Sequence, residues 1–276
     1  MSLKFDEVGY WSEVKLDIIR EYAEAYSRIL SAQTRPRLEH VYIDAFAGAG
    51  VHFSRTTQEF VLGSPLNALR VQPPFNEYHF IELVQARVAA LDEIAEEQEQ
   101  NVFVHSGDCN QMLLEKIFPR VRWEDYRRGL CILDPYGLDL NWTVIQKAGQ
   151  MKSIDIFLNF PVMDMNRNVL WKNPDRVQQE QRDRMTKFWG DETWRQVAYS
   201  TEGNLFGFEE KMDNETITKA FRQRLLEVAG FGHVPKPLPM RNSQGATVYY
   251  LYFASQKPVA SHIVSEVFKK YANRML

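Results

Sequence analysis

Short, wholly apolar runs alternate along this chain with longer stretches in which apolar residues recur every three or four positions. Residues 12–33, "SEVKLDIIREYAEAYSRILSAQ", show the second pattern, with Val14, Ile18, Tyr22, Ala25 and Ile29 at helical spacing and Ser12 as the expected N-cap. "RPR" at 35–37 closes that helix. An apolar strand at 40–45 leads into a glycine-rich loop and then a helix from Ser64. Strands follow at 77–83, 101–107, 129–135 and 153–161. The intervening stretches 84–99, 109–118 and 141–151 read as helices. Apolar strands alternating with helices predict a parallel sheet covered on both faces.

Residues 162–213 break the rhythm, carry Trp171, Trp189 and Trp194, and read as a helical insertion or lid. Helix 214–229 resumes it. "GHVPKPLPMR" and "ATVYYLYFAS" then form a closing antiparallel pair, and a helix over 259–274 ends the chain. The expected fold is α/β: a doubly wound, mostly parallel, seven-stranded sheet with a helical insertion. The expected division is an N-terminal helical segment (1–36), a Rossmann-like domain (37–161 with 214–276) and the insertion (162–213).

Composition narrows the picture. The 276 residues are 45% hydrophobic and 25% charged, with a net charge of −3. This is the make-up of a globular protein rather than of a nonspecific nucleic-acid binder. The places to look for a basic face are 120–128 and 167–195, but acids interleave the second almost one for one, so nucleic acid is weakly supported as a partner. No apolar run is long enough for a membrane span, and the first residues lack the apolar stretch of a secretory signal. Cys109 and Cys131 are too few for a disulfide framework or a zinc site, and His52, His79 and His105 lack metal-ligand spacing. The expectation is a cytoplasmic protein without a metal; its oligomeric state is open.

The candidate chemistry lies where the apolar strands end. Open parallel sheets bind ligands at the carboxyl edge of their strands. There the chain places Asp44 with "FAGAG" (Phe46, Gly48, Gly50), then Glu82, then Asp108 with Cys109, then Asp134-Pro135-Tyr136-Gly137, then Asn159-Phe160-Pro161. No GxxxxGK[ST] loop occurs, and Phe53 stands where a dinucleotide fingerprint needs its third glycine. The pattern suits S-adenosylmethionine: glycines for close backbone approach, Glu82 for both ribose hydroxyls, Asp108 for the adenine amino group. Ser64, as N-cap before Pro65, would aim a helix N-terminus at the cofactor's carboxylate.

"LDPYG" (133–137) is the expected acceptor motif, with Asp134 orienting a planar amine, Pro135 stiffening the turn and Tyr136 stacking on the substrate. Blander readings stand beside these. The glycines make a tight turn, Glu82 decorates a strand end, Asp108 caps a helix, "GSP" starts a helix whatever binds there, and "DPYG" is a packed turn.

"YIDAFAGAG", "GSPLNAL", "FIEL", "GDCN" and "LDPYG", in this order behind Trp11 and Lys15, resemble the three-Cys-motif partner family, TcmP. The resemblance covers roughly residues 10–160 and weakens beyond 162. It implies a Rossmann-like methyltransferase fold, a bacterial or phage setting, and a partner bearing a three-cysteine motif and resembling radical-SAM enzymes. Asp44, Gly48, Gly50, Glu82, Asp108 and 134–137 are the positions carried over. The leading expectation is thus an S-adenosylmethionine-dependent methyltransferase acting on a planar amine such as a nucleobase. The alternative is a methyltransferase-fold partner protein that transfers nothing itself.

Overall fold

The computed structural model describes residues 6–54, 59–200 and 210–272. Seven strands form the main sheet: β1 (Glu39–Asp44), β2 (Glu77–Glu82), β3 (Val102–Ser106), β4 (Arg127–Leu133), β5 (Ile154–Phe160), β6 (Leu238–Arg241) and β7 (Thr247–Ala254). Their spatial order is 3-2-1-4-5-7-6. The pairs among β1–β5 are parallel, while β7 runs antiparallel to both neighbours. This is the expected doubly wound sheet of class I methyltransferase type. The closing pair is a hairpin, its turn fixed by Asn242, whose carbonyl and side-chain oxygens accept the Gly245, Gln244 and Ala246 N–H groups.

Among the described residues these helices pack around it: α1 (Tyr10–Ser31), α2 (Ser64–Leu69), α3 (Gln85–Glu96), α4 (Cys109–Gln111, continued by a π-helical stretch Met112–Ile117), α5 (Trp142–Met151), α6 (Val162–Asn168), α7 (Gln179–Trp189), α8 (Thr193–Ala198), α9 (Asn214–Glu227) and α10 (Pro258–Ala272). Alternate residues of each central strand serve opposite faces. Val41, Ile43, Cys131, Leu133, Ile156 and Leu158 pack with α4, α5 and α9. Tyr42, Tyr78, Phe80, Leu130, Ile132 and Phe157 pack with α1, α2 and α10. Within 162–213, Met185, Phe188, Trp189 and Trp194 are buried in the first of these cores, whereas Trp171 stays half exposed.

Three local expectations are corrected. The N-cap of α1 is Gly9, not Ser12, whose own N–H donates to the Gly9 carbonyl at 2.9 Å. The buried stripe of α1 runs Val14, Ile18, Ile19, Tyr22, Ala23, Tyr26 and Ser27, so Ile29 faces solvent. A helix turns 100° per residue, so Ile29, fifteen residues after Val14, lies about 60° round the helix from it and off the buried face. Finally, the glycine loop does not run straight into α2. Strands Val51–Ser54 and Phe60–Leu62 intervene as an antiparallel pair, and Asp6–Val8 joins the first in parallel. Residues 55–58 between them lie outside the described residues, as do 201–209 of the expected insertion.

Candidate functional site

Two cavities open along the carboxyl edge of the sheet, of about 470 and 690 Å³, and Phe46 and Tyr136 line both. The smaller holds Asp44, Gly48, Ser64, Asp134, Pro135 and Asn159, together with Trp11 and Lys15 from α1 and Tyr249 from β7. The larger holds Glu82, Asp108 and Cys109, with Arg87, Asn110, and Arg184 and Lys187 from α7. Of the positions expected at the site, Gly50 and Gly137 line neither. Gly50 sits at φ +81°, where a Cβ would meet Ile94 Cδ1 at 2.6 Å, so it shapes the loop before the site, and Gly137 shapes the turn after it.

Glu82 organises the larger cavity. Its Oε1 accepts the Leu83 and Val84 N–H groups, each at 2.8 Å, and its Oε2 accepts Gly48 N–H at 3.0 Å. The carboxylate thereby pins the glycine loop to the end of β2. Gly48 sits at φ +69°, which points its N–H at that oxygen without steric cost. Two carboxylate oxygens accept about four hydrogen bonds. With three taken, one position on Oε2 is left for a ligand hydroxyl, not the two expected for a ribose diol. Arg87 Nη1 stands 3.8 Å from the same oxygen.

Asp108 caps α4, its Oδ1 accepting Gln111 N–H at 3.1 Å. Its other oxygen takes a long contact from Asn110 Nδ2 at 3.4 Å. Asn110, the last residue of the "GDCN" run, ties this loop to the next: it donates to the Asp139 carbonyl at 3.1 Å and accepts Asn141 N–H at 2.7 Å. The buried Cys109 thiol is pushed up to about 12, first by burial and then by Asp108, so it packs as an apolar group.

The smaller cavity is built differently. Asp44 is 1% exposed; its Oδ1 accepts Phe46 N–H at 3.2 Å, and its buried Oδ2 has no hydrogen-bond partner among the described residues. Burial raises its pKa from 3.8 to about 6, against the opposing pull of the Ser64 hydroxyl and the Phe46 N–H. Ser64 shares a 3.2 Å hydrogen bond with Tyr42 Oη and is the first residue of α2, whose N-cap is Gly63. The expected role of Ser64 as N-cap is therefore corrected. With only six residues, α2 is also too short to bring a helix N-terminus to bear on a ligand carboxylate.

Asp134 is held from two sides. Lys15 Nζ donates to Oδ2, and Asn159 Nδ2 donates to Oδ1 at 2.8 Å. Asn159 Oδ1 is then turned away from the carboxylate, buried and without a partner among the described residues. Pro135 is buried while Tyr136 is 62% exposed at the boundary of the two cavities. Gly137 follows at φ +63°, where a side chain would be strained, and a Cβ there would lie 2.8 Å from Asp164 Oδ2 and displace that carboxylate. Lys15 and Asn159 both stand among the residues the sequence brings forward, but their pairing with Asp134 leaves no trace there, since Lys15 lies 119 residues from its partner.

The acids and amides thus gather around two joined spaces. Among the described residues no group of three or more His, Cys, Asp or Glu could hold a metal, and no helix is long and apolar enough to cross a membrane. No family model and no curated protein matches the chain. A protein from Legionella pneumophila str. Philadelphia 1, described under family model DUF519, is similar at a TM-score of 0.52 and 12% identity. The match covers 93% of this chain and 91% of that one, and the likeness is one of fold. An S-adenosylmethionine-dependent methyltransferase from Clostridium acetobutylicum reaches 0.42 at 11% identity, over 88% of this chain and 91% of its own. A SAM-dependent methyltransferase from Leishmania major reaches 0.38 at 10% identity, over 88% and 82%.

Proposed function

We propose that the chain binds S-adenosylmethionine across the two cavities and transfers its methyl group to a planar amine of the nucleobase kind. The observation that carries this reading is the charge balance of the smaller cavity. Its lining sets two carboxylates, Asp44 and Asp134, against one ammonium, Lys15. A dinucleotide would bring a pyrophosphate to the glycine loop, where this excess of negative charge repels it. A ligand bearing an ammonium and a sulfonium is matched instead. The unpartnered Asp44 Oδ2 is a ready acceptor for the ammonium, since a buried acceptor left unpaired is costly. Glu82 and Asp108 then face the sugar and base in the larger cavity.

When bound, S-adenosylmethionine supplies a methyl group on a positively charged sulfur. The chain's own contribution is orientation and exclusion of water, which together supply several kcal/mol. Asp134, turned by Lys15 and Asn159, accepts one N–H of the amine and directs its lone pair. Asn159 Oδ1 offers an acceptor for the second N–H, and Tyr136 stacks on the ring. On taking up the methyl group the amine nitrogen would have one proton to lose, and Asp134, holding that N–H, would direct it toward solvent.

The narrower assignment, membership of the three-Cys-motif partner family, rests on motif order, and with it goes a three-cysteine protein as partner. A second reading, a partner protein that keeps the cofactor and transfers nothing itself, is favoured by one observation: both Asp134 oxygens are already engaged. Calorimetric titration with S-adenosylmethionine and S-adenosylhomocysteine tests the common ground. Micromolar binding, about −8 kcal/mol, is expected for the unchanged protein and for Asp134→Ala. If neither ligand binds at millimolar concentration, alone or with the three-cysteine protein, the reading fails. Transfer surviving in Asp134→Ala would remove that residue from the acceptor site.

A further inference from the structure

Lys15 belongs to α1, outside the sheet, yet its ammonium ends inside the smaller cavity. Its side chain is 12% exposed, it donates to Asp134 Oδ2, and it lies 5.6 Å from the centre of the Tyr249 ring. It is the sole Lys or Arg among the described residues lining that cavity. A half-dry ammonium gives up hydration and rotamer freedom. Anchoring α1 does not require it, because Val14, Ile18, Ile19, Tyr22, Ala23 and Tyr26 already bury that helix against the sheet. What Lys15 adds is a charge. It offsets Asp134, and Asp44 is left as the uncompensated carboxylate of the cavity.

We propose that Lys15 is a specificity-determining residue of the cofactor site, setting how strongly the cavity prefers the methyl-bearing sulfonium over the neutral thioether left after transfer. The proposal rests on the reading above, that the methionine end of the cofactor occupies this cavity. Without Lys15, Asp134 would draw the sulfonium to itself. With it, Asp134 stays turned to the acceptor, and the donor and its product differ less in affinity.

The two ligands differ at one charged centre, so the ratio of their dissociation constants reads that charge without any acceptor. Calorimetric titration of both ligands into the unchanged protein, Lys15→Met, Lys15→Arg and Asp134→Asn gives four ratios. Lys15→Met is expected to raise the preference for S-adenosylmethionine on the order of tenfold. Asp134→Asn is expected to lower it by a similar factor, and Lys15→Arg to leave it within about twofold. A merely structural tether would weaken both ligands together and leave the ratio where it was. A ratio in Lys15→Met that is unmoved, or moved toward the thioether, overturns the proposal. Should Lys15→Met fail to fold, Asp134→Asn carries the test, and a ratio that does not fall overturns it. If the unchanged protein binds neither ligand, the cofactor reading itself is lost and this proposal with it. Binding of both with unmoved ratios defeats this proposal alone.

Discussion

Glu82 and Asp44 end neighbouring strands, are almost equally buried, and have opposite circumstances. Glu82 receives three backbone N–H groups. Asp44 receives one, keeps a second oxygen buried without a partner, and has its pKa raised to about 6. One carboxylate finishes the fold and the other is held at the fold's expense. A buried group that destabilises the empty protein is what a ligand-binding position requires, because the ligand then relieves the cost. On this view Glu82 shapes the site before anything binds, and Asp44 is the group that binding completes.

The largest effect that would break the contrast is expected of Glu82→Ala. It strands the N–H groups of Gly48, Leu83 and Val84 and frees the glycine loop, for a stability loss of about 2–4 kcal/mol. It should also abolish binding of S-adenosylmethionine. Chemical denaturation and calorimetry read the two; binding that survives would mean that the loop does not depend on Glu82.

Asp44→Asn is expected to do the reverse to stability. At pH 8 the unliganded variant should be more stable than the unchanged protein, by up to about 3 kcal/mol from the two-unit pKa shift. Its affinity for S-adenosylmethionine should fall by tenfold or more, since a charge-assisted contact is lost. A variant both less stable and unimpaired in binding would assign Asp44 to structure.

The pH dependence sharpens the same point. Because burial raises the Asp44 pKa from 3.8 to about 6, the folded state holds the proton that the unfolded state has released. The stability of the unliganded protein therefore falls as pH rises from 4 to 6 and is flat above, and the affinity for the cationic ligand rises through about pH 6. Asp155, partly buried and likewise raised to about 6, adds a fall of the same sign to stability, so the difference between the unchanged protein and Asp44→Asn isolates Asp44. The smallest effect is expected of Asp108→Ala, which removes the cap of α4 and costs about 1 kcal/mol. A larger loss of affinity than of stability there would show that Asp108 also meets the ligand.

Much of this architecture was legible from residue order because strands buried on both faces must be apolar through most of their length, as the middles of β1, β2, β4 and β5 are. Their ends then had to be polar, and Asp44, Glu82, Asp108 and Asp134 all lie at the carboxyl edge as expected. The site's internal wiring was not legible. That Glu82 is consumed by backbone N–H groups depends on the positive φ of Gly48, which a sequence permits but does not announce. The pairing of Lys15 with Asp134, and the bracing of one loop by Asn110 against Asp139 and Asn141, join distant residues and leave no periodic trace. Ser64 looked like a cap because serine before proline favours a helix start, yet its hydroxyl is engaged by Tyr42. The small strands at 51–54 and 60–62 were too short to outweigh their polar surroundings.

The placement of β7 between β5 and β6 has a consequence for how the molecule is made. Val248 and Tyr249 of that strand face Trp11 and Lys15 across the smaller cavity, more than 230 residues away along the chain. Parallel pairs β1–β5 can assemble while the rest of the polypeptide is still emerging, but this cavity closes only when the penultimate element arrives and slots into an open edge. Loop closure over such a span is slow. During synthesis the flank of β5 stays unpaired until then, so the last step of folding is both the step that creates the cavity and the step that removes an aggregation-prone edge.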